Sequence, residues 1–415
     1  MRIEAVCTGD ELLTGLTTDT NSTYFSEQLI RHGAALAAIQ VVRDVREEIV
    51  EALRVASARA DLVLVSGGLG PTTDDITAEC AARAAGVSLE EDERVVANLR
   101  ERFARRGLRL SENNMRQAKV PHGARVYVGD IGSAPSFSLR IGRAQCFFVA
   151  GVPREYRHWV NAEVLPAVDA LRAQSGAQSF SALRLLRTMG IAESHLDERI
   201  RPLVGQHPSV TFGFRTQAPE NHLKLFATGP TQTHANDALA AAEVDARALL
   251  ADFVFGADDE RLETVVGGAL RERGATVAVA ESCTGGAISE LLSGPAGASA
   301  WFLGGAVTYA NDMKQRWADV PEVLLRAHGA VSSEVALAMA KGVRHSAHST
   351  YGLSVTGISG PSGATPEKPV GLVFLGLDGP EGSVVEHHVY PGDRALIRRF
   401  ATYGALNVLR RVLSP

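Results

Sequence analysis

The sequence lacks several features that define common protein classes, and each absence narrows what the chain can be. Its four cysteines, Cys7, Cys80, Cys146 and Cys283, lie far apart and form no C-x-x-C pair. This spacing argues against a cysteine zinc site or a disulfide framework and is typical of a reducing cytosol. No uncharged apolar run approaches the roughly 20 residues that a membrane span needs. We therefore expect a cytoplasmic protein that has no membrane partner.

Positive charge is not in excess either. The formal net charge is −5 at pH 7, so the overall electrostatics do not favour a polyanionic partner such as DNA. The arginine-rich segment at residues 94–109 has acidic residues beside it, at 90–93 and at Glu101. Such a mixture of charges predicts a solvated amphipathic helix. Nucleic acid is therefore not an expected partner.

With 415 residues the chain is too long for a single core, and its pattern divides it into three parts. In residues 1–170, short apolar strands run into glycine-bearing turns and then helices, which predicts a doubly wound α/β domain. The small, polar stretch at residues 171–179 is the predicted linker. Residues 178–256 follow the order β-α-β-β-α and predict a small α+β domain with a KH-like outline. It contains no G-x-x-G clamp, which favours a structural spacer over an RNA-binding module. Residues 257–415 form the third part, a second α/β domain.

Three strand ends in the third part carry residues suited to catalysis. One strand ends in the turn at residues 281–286, which enters a helix, so Ser282 and backbone N–H groups would lie at the sheet edge where ligands bind in open α/β folds. Capping of the helix by Ser282 and Thr284 is the alternative. Two further strand ends, residues 309–314 and 356–363, carry polar groups to the same edge. This convergence favours an active site over simple capping.

A serine needs a base within hydrogen-bond reach if it is to attack an amide at neutral pH. No histidine lies in these three turns, and Lys314 is the nearest candidate, provided that burial lowers its pKa. Tyr309 could instead relay the proton or hold the substrate, and Cys283 is a rival nucleophile. Alternatively, Lys314 is a solvated surface lysine and Cys283 is a small residue of the core. The residues alone leave the choice of base open.

From about residue 258 to the end, the chain resembles the C-terminal domain of the CinA (competence/damage-inducible) family. The shared motifs are A-E-S-C-T-G-G at 280–286, Y-x-N-x-x-K at 309–314, T-G-I-x-G-P-x-G at 356–363, K-P-V-G at 368–371 and G-D-R at 392–394. The resemblance implies hydrolysis of the carboxamide of nicotinamide mononucleotide to nicotinic acid mononucleotide and ammonia. It implies that Ser282 is the nucleophile, that Lys314 and Tyr309 assist it, and that the domain needs no cofactor.

The same resemblance implies substrate-binding roles for seven further residues of this domain: Thr284, Gly285, Gly286, Thr356, Gly357, Gly360 and Arg394. Arg394 would pair with the nucleotide phosphate, because its planar guanidinium matches phosphate oxygens.

In the first part, the turn after the third strand combines glycines with carboxylates. These residues are Gly67, Gly68, Gly70, Asp74 and Asp75. Glycines beside a helix start let a phosphate approach backbone N–H groups, and adjacent carboxylates suit a divalent cation. Glu155, after a later strand, adds a carboxylate. A cation with cradled phosphates is the minimum equipment for cleaving a diphosphate, and a pocket that binds without cleaving is an equal alternative. The absence of a G-x-x-x-x-G-K-[ST] motif excludes a P-loop nucleotidase.

Residues 1–170 resemble the N-terminal, molybdopterin-binding-like domain of the CinA family. The shared motifs are G-D-E-L-L-x-G at 9–15, T-N-S at 20–22, G-G-L-G-P-T-x-D-D-x-T at 67–77 and G-V-P-x-E at 151–155. The resemblance implies a three-layer fold, a homodimer formed through this domain, and an ADP-ribose pyrophosphatase that uses Mg, Mn or Co. The metal ligands would be Asp74, Asp75 and Glu155, and the added substrate-binding residues are Asp10, Glu11 and Asn21.

In the C-terminal domain, Ala310 replaces the serine of the family's usual Y-S-N, and in residues 1–170 one segment departs from the family pattern. Where the family often has Asn-Pro and a final glycine, this chain has Gly129, Asp130 and Ser136. We expect the added carboxylate and side chain to weaken diphosphate binding.

Two other functions remain as alternatives to a pair of enzymes acting on pyridine nucleotides. The N-terminal domain could be a binding module for a pterin or nucleotide that does no chemistry. The whole chain could be an adaptor in competence or recombination, with a RecA link suggested only by the family name.

Overall fold

The computed structural model describes residues 1–174 and 180–414. It divides into two compact units, Met1–Ala182 with Thr228–Asn236, and Leu183–Ala227 with Asp237–Pro415. Of the predicted linker at 171–179, the first four residues end a helix, and 175–179 lie outside the described residues. The division into three domains stays a prediction.

The first unit alternates strands and helices along the chain. The elements are β1 (Ile3–Thr8), α1 (Asp10–Leu13), α2 (Thr20–Arg31), β2 (Leu36–Val42), α3 (Arg46–Arg59), β3 (Leu62–Ser66), α4 (Thr77–Ala85), β4 (Leu89–Glu91), α5 (Glu93–Arg105), α6 (Glu112–Met115), β5 (Lys119–Pro121), β6 (Arg125–Tyr127), β7 (Ser136–Ile141), β8 (Ala144–Val149), α7 (Pro153–Trp159) and α8 (Leu165–Gln174). A π-helical segment, Val160–Val164, joins α7 to α8.

Six of these strands form one sheet in the order β2-β1-β3-β8-β7-β6. Strands β2, β1, β3 and β8 are parallel, and β7 and β6 add antiparallel pairs at one side. Strand β3 is buried along its whole length because helices cover both faces of the sheet. Leu62 and Leu64 pack in one core with α2 and α7, whereas Val63 and Val65 pack in a second core with α3 and α4. The predicted doubly wound, three-layer α/β architecture is confirmed.

The arginine-rich segment forms α5, as predicted. Asp92 caps the helix by accepting from the N–H groups of Arg94 and Val95. Val95, Val96 and Leu99 are buried on one face, and most of the arginines are exposed. Arg102 is the exception, because it lies one turn after Leu99, is half-buried and donates to Gly129 O. The segment is therefore an amphipathic surface helix.

The middle of the chain forms a four-stranded sheet with two helices. Its elements are β9 (Phe180–Met189), α9 (Glu193–Gln206), β10 (Val210–Gln217), β11 (Glu220–Gly229), α10 (Gln232–Leu250) and β12 (Val254–Ala257), and the sheet order is β10-β11-β9-β12. The predicted β-α-β-β-α order is confirmed. Strand β12 was not predicted, because its four residues show too little alternation to read as a strand.

The last part of the chain forms a five-stranded sheet with helices on both faces. Its elements are α11 (Leu262–Glu272), β13 (Val277–Glu281), α12 (Ala287–Ser293), β14 (Phe302–Val307), α13 (Asn311–Ala318), α14 (Glu322–His328), α15 (Ser333–Ala347), β15 (Tyr351–Gly357), β16 (Leu372–Gly379), β17 (Gly382–Val389) and α16 (Arg394–Leu413).

The order of this sheet is β14-β13-β15-β16-β17, and its first three strands are parallel. The carboxyl ends of β13, β14 and β15 therefore meet at one edge, as predicted. One face packs on α11 and α16, and the other on α13, α14 and α15. No helix in the described part of the chain is long and apolar enough to cross a membrane.

Candidate functional site

The side chains of Ser282 and Lys314 meet where β13 and β14 end. Ser282 directly follows β13, and Lys314 is the fourth residue of α13, which begins four residues after β14. Lys314 Nζ lies 3.0 Å from Ser282 Oγ, and Lys314 is only 1% exposed. Burial lowers the pKa of Lys314 from 10.5 to about 8, because a charged ammonium is poorly solvated there.

Two backbone carbonyls fix the direction of the Lys314 amine. Nζ lies 2.8 Å from Thr308 O and 3.2 Å from Tyr309 O. A neutral amine has two N–H bonds and one lone pair, so donation to both carbonyls leaves the lone pair for the hydroxyl proton of Ser282. The arrangement can therefore accept a proton from the serine, which is the task of a general base.

A buried carboxylate braces the turn that carries Ser282. Glu281 is fully buried, and its carboxylate accepts from the N–H groups of Gly286 at 3.0 Å, Ile288 at 3.1 Å and Ser289 at 2.8 Å. It thereby caps α12 from inside the protein, where a negative charge is stabilised by the helix dipole. The amide of Gly286 is therefore already engaged within the protein. Glu281 was not predicted as a site residue, although its position directly before Ser282 was a usable signal.

Arg398, on α16, holds the other side of this turn. Its Nε donates to Cys283 O at 3.1 Å, and its Nη2 donates to Thr284 O at 2.6 Å. Sequence reasoning missed Arg398. The available signal was its position one helical turn after Arg394, which places both side chains on one face of the helix.

Arg394 connects the remaining two strand ends. Its Nη1 donates to Gly360 O at 2.8 Å, and its Nη2 donates to the Tyr309 hydroxyl at 2.8 Å. Tyr309 is 58% exposed, so its ring lies at the mouth of the site. The hydroxyl of Tyr309 faces Arg394, and only the backbone carbonyl of Tyr309 contacts Lys314. This geometry favours Lys314 over Tyr309 as the base.

Three other residues considered from the sequence, Thr356, Gly357 and Cys283, are engaged within the protein itself. The Thr356 hydroxyl donates to Ala330 O at 2.7 Å, and a Cβ at Gly357 would lie 2.7 Å from Val373. Cys283 belongs to the hydrophobic core, and burial raises the pKa of its thiol to about 11. A thiol with that pKa is a poor nucleophile at neutral pH. Substrate-binding roles for the residues around Ser282 stay predictions.

In the first unit, a cavity of about 480 Å³ lies at the carboxyl ends of the four parallel strands. Its lining includes eight predicted site residues: Gly67, Gly68, Gly70, Glu11, Asn21, Asp74, Asp75 and Glu155. Asp10, also predicted, is not among the lining residues; its N–H donates to Asp44. A Cβ at Gly68 would lie 2.1 Å from Thr77 Oγ1, so a glycine is required in this wall.

The electrostatics of this cavity are one-sided. Six carboxylate side chains and, among the described lining residues, no basic one surround it: Glu11, Asp19, Asp44, Asp74, Asp75 and Glu155. Burial raises the pKa of Asp44, and the neighbouring carboxylates of Asp10, Glu11 and Asp74 raise it further. Asp44 was missed from the sequence, although its place just after parallel strand β2 was a usable signal.

The carboxylates do not form a ready-made metal site. In residues 1–174 and 180–414, no group of three or more His, Cys, Asp or Glu side chains is placed to hold a metal ion. The Thr72 hydroxyl contacts both Asp74 and Asp75, and the Thr72 N–H donates to Asp75 at 2.8 Å, which ties these carboxylates to their own loop. The metal-binding roles of Asp74, Asp75 and Glu155 stay predictions.

The three residues that depart from the family pattern lie outside the lining of this cavity, although Ser133 and Ala134 of the same segment belong to it. The Asp130 side chain is 81% exposed and faces Arg105 at 3.5 Å. The Gly129 carbonyl accepts from Arg102, and Ser136 is fully buried within β7. None of these departures lines the 480 Å³ cavity. The expected interference with diphosphate binding therefore gains no support from the structure.

Models of known protein families match almost the whole chain. Three family models match it in succession: "Probable molybdopterin binding domain" at residues 4–170, "Damage-inducible protein CinA KH domain" at 183–256 and "CinA C-terminal domain" at 259–413. The resemblance seen in the motifs and the expected fold of each part are thus confirmed.

Two relatives match over their whole length. A CinA-like protein of Myxococcus xanthus is 50% identical over 414 residues, covering 100% of this chain and 98% of the relative. A CinA-like protein of Anaeromyxobacter sp. strain Fw109-5 is 45% identical over 415 residues, covering 100% of this chain and 99% of the relative. A solved structure, the competence/damage inducible protein CihA from Agrobacterium tumefaciens, is 39% identical, covers 37% of this chain and 93% of its own, and has a TM-score of 0.35.

Proposed function

Since the chain belongs to the CinA family, we propose that its C-terminal domain hydrolyses the carboxamide of nicotinamide mononucleotide to nicotinic acid mononucleotide and ammonia. The observation that carries this proposal is the buried pair of Lys314 Nζ and Ser282 Oγ at 3.0 Å. A lysine with a pKa of about 8 and a fixed lone pair can activate a serine without a histidine.

The first half of the reaction forms an ester on the enzyme. Lys314 Nζ takes the proton of Ser282 Oγ as that oxygen bonds to the carboxamide carbon, and the carbonyl π electrons move to oxygen as an oxyanion. When this intermediate collapses, the C–N bond breaks and the proton on Lys314 passes to the leaving nitrogen. Ammonia departs, and Ser282 carries the acyl group.

The second half repeats these steps with water. Lys314 Nζ takes a proton from water as the water oxygen bonds to the ester carbon. Collapse then breaks the bond to Ser282 Oγ, which receives the proton back from Lys314. The product is the carboxylic acid of the nucleotide, and the net reaction consumes one water molecule.

Substrate orientation rests on the exposed rim of the site. Arg394 presents two guanidinium nitrogens there and pairs with the substrate phosphate, exchanging its internal contacts with Gly360 and Tyr309 for charge-assisted hydrogen bonds. The exposed ring of Tyr309 offers its face to the positively charged pyridinium ring. Nicotinamide mononucleotide carries a phosphate for Arg394 at one end and a carboxamide for Ser282 at the other, so it fits this site.

A comparison of three substrates tests this proposal. The wild-type protein is incubated separately with nicotinamide mononucleotide, nicotinamide riboside and free nicotinamide, and the acid products are separated by chromatography. The mononucleotide is expected to be converted fastest, and the forms without phosphate more slowly. Absence of any acid product from the mononucleotide would remove the amidase from consideration.

The acid-lined cavity supports a second activity, a metal-dependent ADP-ribose pyrophosphatase in the N-terminal domain. Six carboxylates and, among the described lining residues, no basic side chain would repel a diphosphate, so charge balance calls for a cation in this cavity. One or two of the predicted ligands Asp74, Asp75 and Glu155 would hold Mg, Mn or Co, which would neutralise the diphosphate. Such ions commonly take only one or two protein carboxylates and complete their shell with water and phosphate oxygens.

ADP-ribose hydrolysis with added Mg²⁺, with EDTA and in an Asp74→Asn variant tests this second activity. Metal-dependent turnover that Asp74→Asn reduces is expected. The assay is repeated with Mn²⁺ and with Co²⁺, and binding of ADP-ribose without turnover in any of the three metals would leave a binding module, the alternative stated above. Because both substrates are pyridine-nucleotide metabolites, the proposal places the protein in the cytoplasm. The proposal also includes a homodimer formed through the N-terminal domain, and light scattering tests it.

A further inference from the structure

The turn after Ser282 is held through its carbonyl oxygens by one arginine. Arg398 donates along one edge of its guanidinium, with Nε to Cys283 O at 3.1 Å and Nη2 to Thr284 O at 2.6 Å. Two successive peptide units are thereby fixed by a single rigid, planar group. Arg398 is half-buried and uses these nitrogens on the protein itself.

Fixing a carbonyl also fixes the N–H of the same peptide unit. In a planar trans peptide the C=O and N–H bonds point in opposite directions. The grip of Arg398 on Cys283 O therefore turns the Thr284 N–H away from Arg398. Among the hydrogen bonds of the described residues, the Thr284 N–H is a donor in none.

The two amides that follow Thr284 in the turn are already engaged. The Gly285 N–H donates to Ser282 O at 3.2 Å, and the Gly286 N–H donates to Glu281 at 3.0 Å. Among the hydrogen bonds of the described residues, the Cys283 N–H is likewise a donor to no other residue, so the turn has two unused donors. The Thr284 N–H is the one whose peptide unit Arg398 holds, and it lies two residues after the proposed nucleophile.

Glu281 and Arg398 prevent the turn from rearranging. Glu281 anchors the start of α12 with three backbone contacts, and Arg398 anchors the carbonyls on the other side. Gly285 and Gly286 have φ values of +63° and +100°, a region where glycine has unusual freedom to move. Without Arg398, the peptide unit between Cys283 and Thr284 would be free to rotate its N–H away from the site.

From this geometry we infer that the Thr284 N–H stabilises the oxyanion formed when Ser282 attacks, and that Arg398 is the positioning residue that aims it; the inference rests on the proposed amidase function. Donors that are oriented before the reaction are the effective ones, because no reorganisation is needed as charge develops. Arg398 therefore acts through the turn, whereas Arg394 acts on the substrate.

The test compares Arg398→Met with Arg399→Met and Arg398→Lys. Arg399 is the adjacent residue of α16, and its guanidinium lies over Tyr403 rather than the turn. Each protein is assayed for kcat and KM on nicotinamide mononucleotide and on its thiocarboxamide analogue. Sulfur is a weak hydrogen-bond acceptor, so an aimed N–H stabilises the oxyanion far more than the corresponding sulfur anion. Melting temperatures report on folding.

Arg398→Met is expected to lower kcat on the oxygen substrate by about 100-fold, the cost of one oxyanion donor, with KM nearly unchanged. Its kcat on the thiocarboxamide analogue should fall much less. The ratio of kcat on the carboxamide to kcat on the thiocarboxamide therefore moves towards one. Arg398→Lys should restore part of kcat, because one carbonyl regains a cationic donor, and Arg399→Met should match the wild type.

Equal slowing of both substrates by Arg398→Met, with the ratio unchanged, would overturn the inference and leave Arg398 a purely structural residue. If Arg398→Met fails to fold, the same ratio measured in Arg398→Lys decides the matter. Wild-type protein that releases no ammonia from either substrate overturns the proposed function, and the inference falls with it.

Discussion

Lys314 directs its amine to Ser282 from a position that is almost fully buried, 3.0 Å from the hydroxyl oxygen. The carbonyls of Thr308 and Tyr309 take up two of its hydrogen-bonding directions and leave the third for the serine. A single relationship thus supplies both the nucleophile and its base.

The rate of amide hydrolysis should depend on pH through Lys314. The base must be neutral to accept a proton, and its pKa is about 8, so kcat/KM should rise with pH and level off above about 8. Ammonia release between pH 5.5 and 9.5 checks this. Lys314→Arg, which keeps a charge that does not titrate in this range, should be inactive throughout. A rise centred near pH 6 would point to a different base.

The free energy of unfolding should also depend on pH through the titration of Lys314. The pKa of Lys314 is lowered to about 8 in the folded protein from 10.5 in the unfolded chain, so the unfolded chain binds more protons between these values. Folding is therefore penalised fully below pH 8 and progressively less up to pH 10.5. The free energy of unfolding of wild type minus that of Lys314→Met should increase by about 1–3 kcal/mol over this window. Urea unfolding at pH 7, 8, 9 and 10.5 measures it, and a constant difference would contradict the burial of a titrating amine.

Arg394 should affect binding more than chemistry. Arg394→Ala removes the guanidinium that pairs with the phosphate, so KM for nicotinamide mononucleotide should rise by about 10- to 100-fold, as expected for a charge-assisted pair. Nicotinamide riboside, which has no phosphate, should be affected much less. A similar loss on both substrates would mean that Arg394 supports the turn at Gly360 and Tyr309 instead.

Two serines of β7 should respond oppositely to removal of their hydroxyls. Ser136 Oγ is buried without a hydrogen-bond partner among the described residues, whereas Ser138 Oγ lies 2.9 Å from the Tyr127 hydroxyl. Ser136→Ala should raise the free energy of unfolding by about 1 kcal/mol, because a buried unpaired polar group costs free energy. Ser138→Ala should lower it by about 1 kcal/mol. Denaturant unfolding of both variants provides the comparison, and a stabilised Ser138→Ala would contradict it.

Much of the fold follows from patterns that local physics controls. Strand β3 is a near-continuous apolar run, and such a run before a glycine-rich turn indicates a strand covered on both faces. The meeting of Ser282, Tyr309 and Thr356 at one edge follows in turn from the parallel direction of three strands. These features need no knowledge of distant contacts.

The bracing of the site could not be predicted in the same way. Arg398 reaches Cys283 O across 115 positions of sequence, because α16 packs against the sheet that holds the turn. The segment around Lys314 is polar, and its sequence is typical of an exposed helix. Only the docking of α13 on the strand ends buries that amine and lowers its pKa. Tertiary packing decides such features, and a sequence pattern records them weakly.

The most direct test of the account is ammonia release from nicotinamide mononucleotide by wild-type protein, Ser282→Ala and Cys283→Ala, measured side by side with their melting temperatures. We predict release by the wild type, loss of at least about 1,000-fold in Ser282→Ala, and retained activity in Cys283→Ala with all three proteins folded. Full activity in Ser282→Ala, or loss confined to Cys283→Ala, would contradict the assignment of Ser282 as the nucleophile.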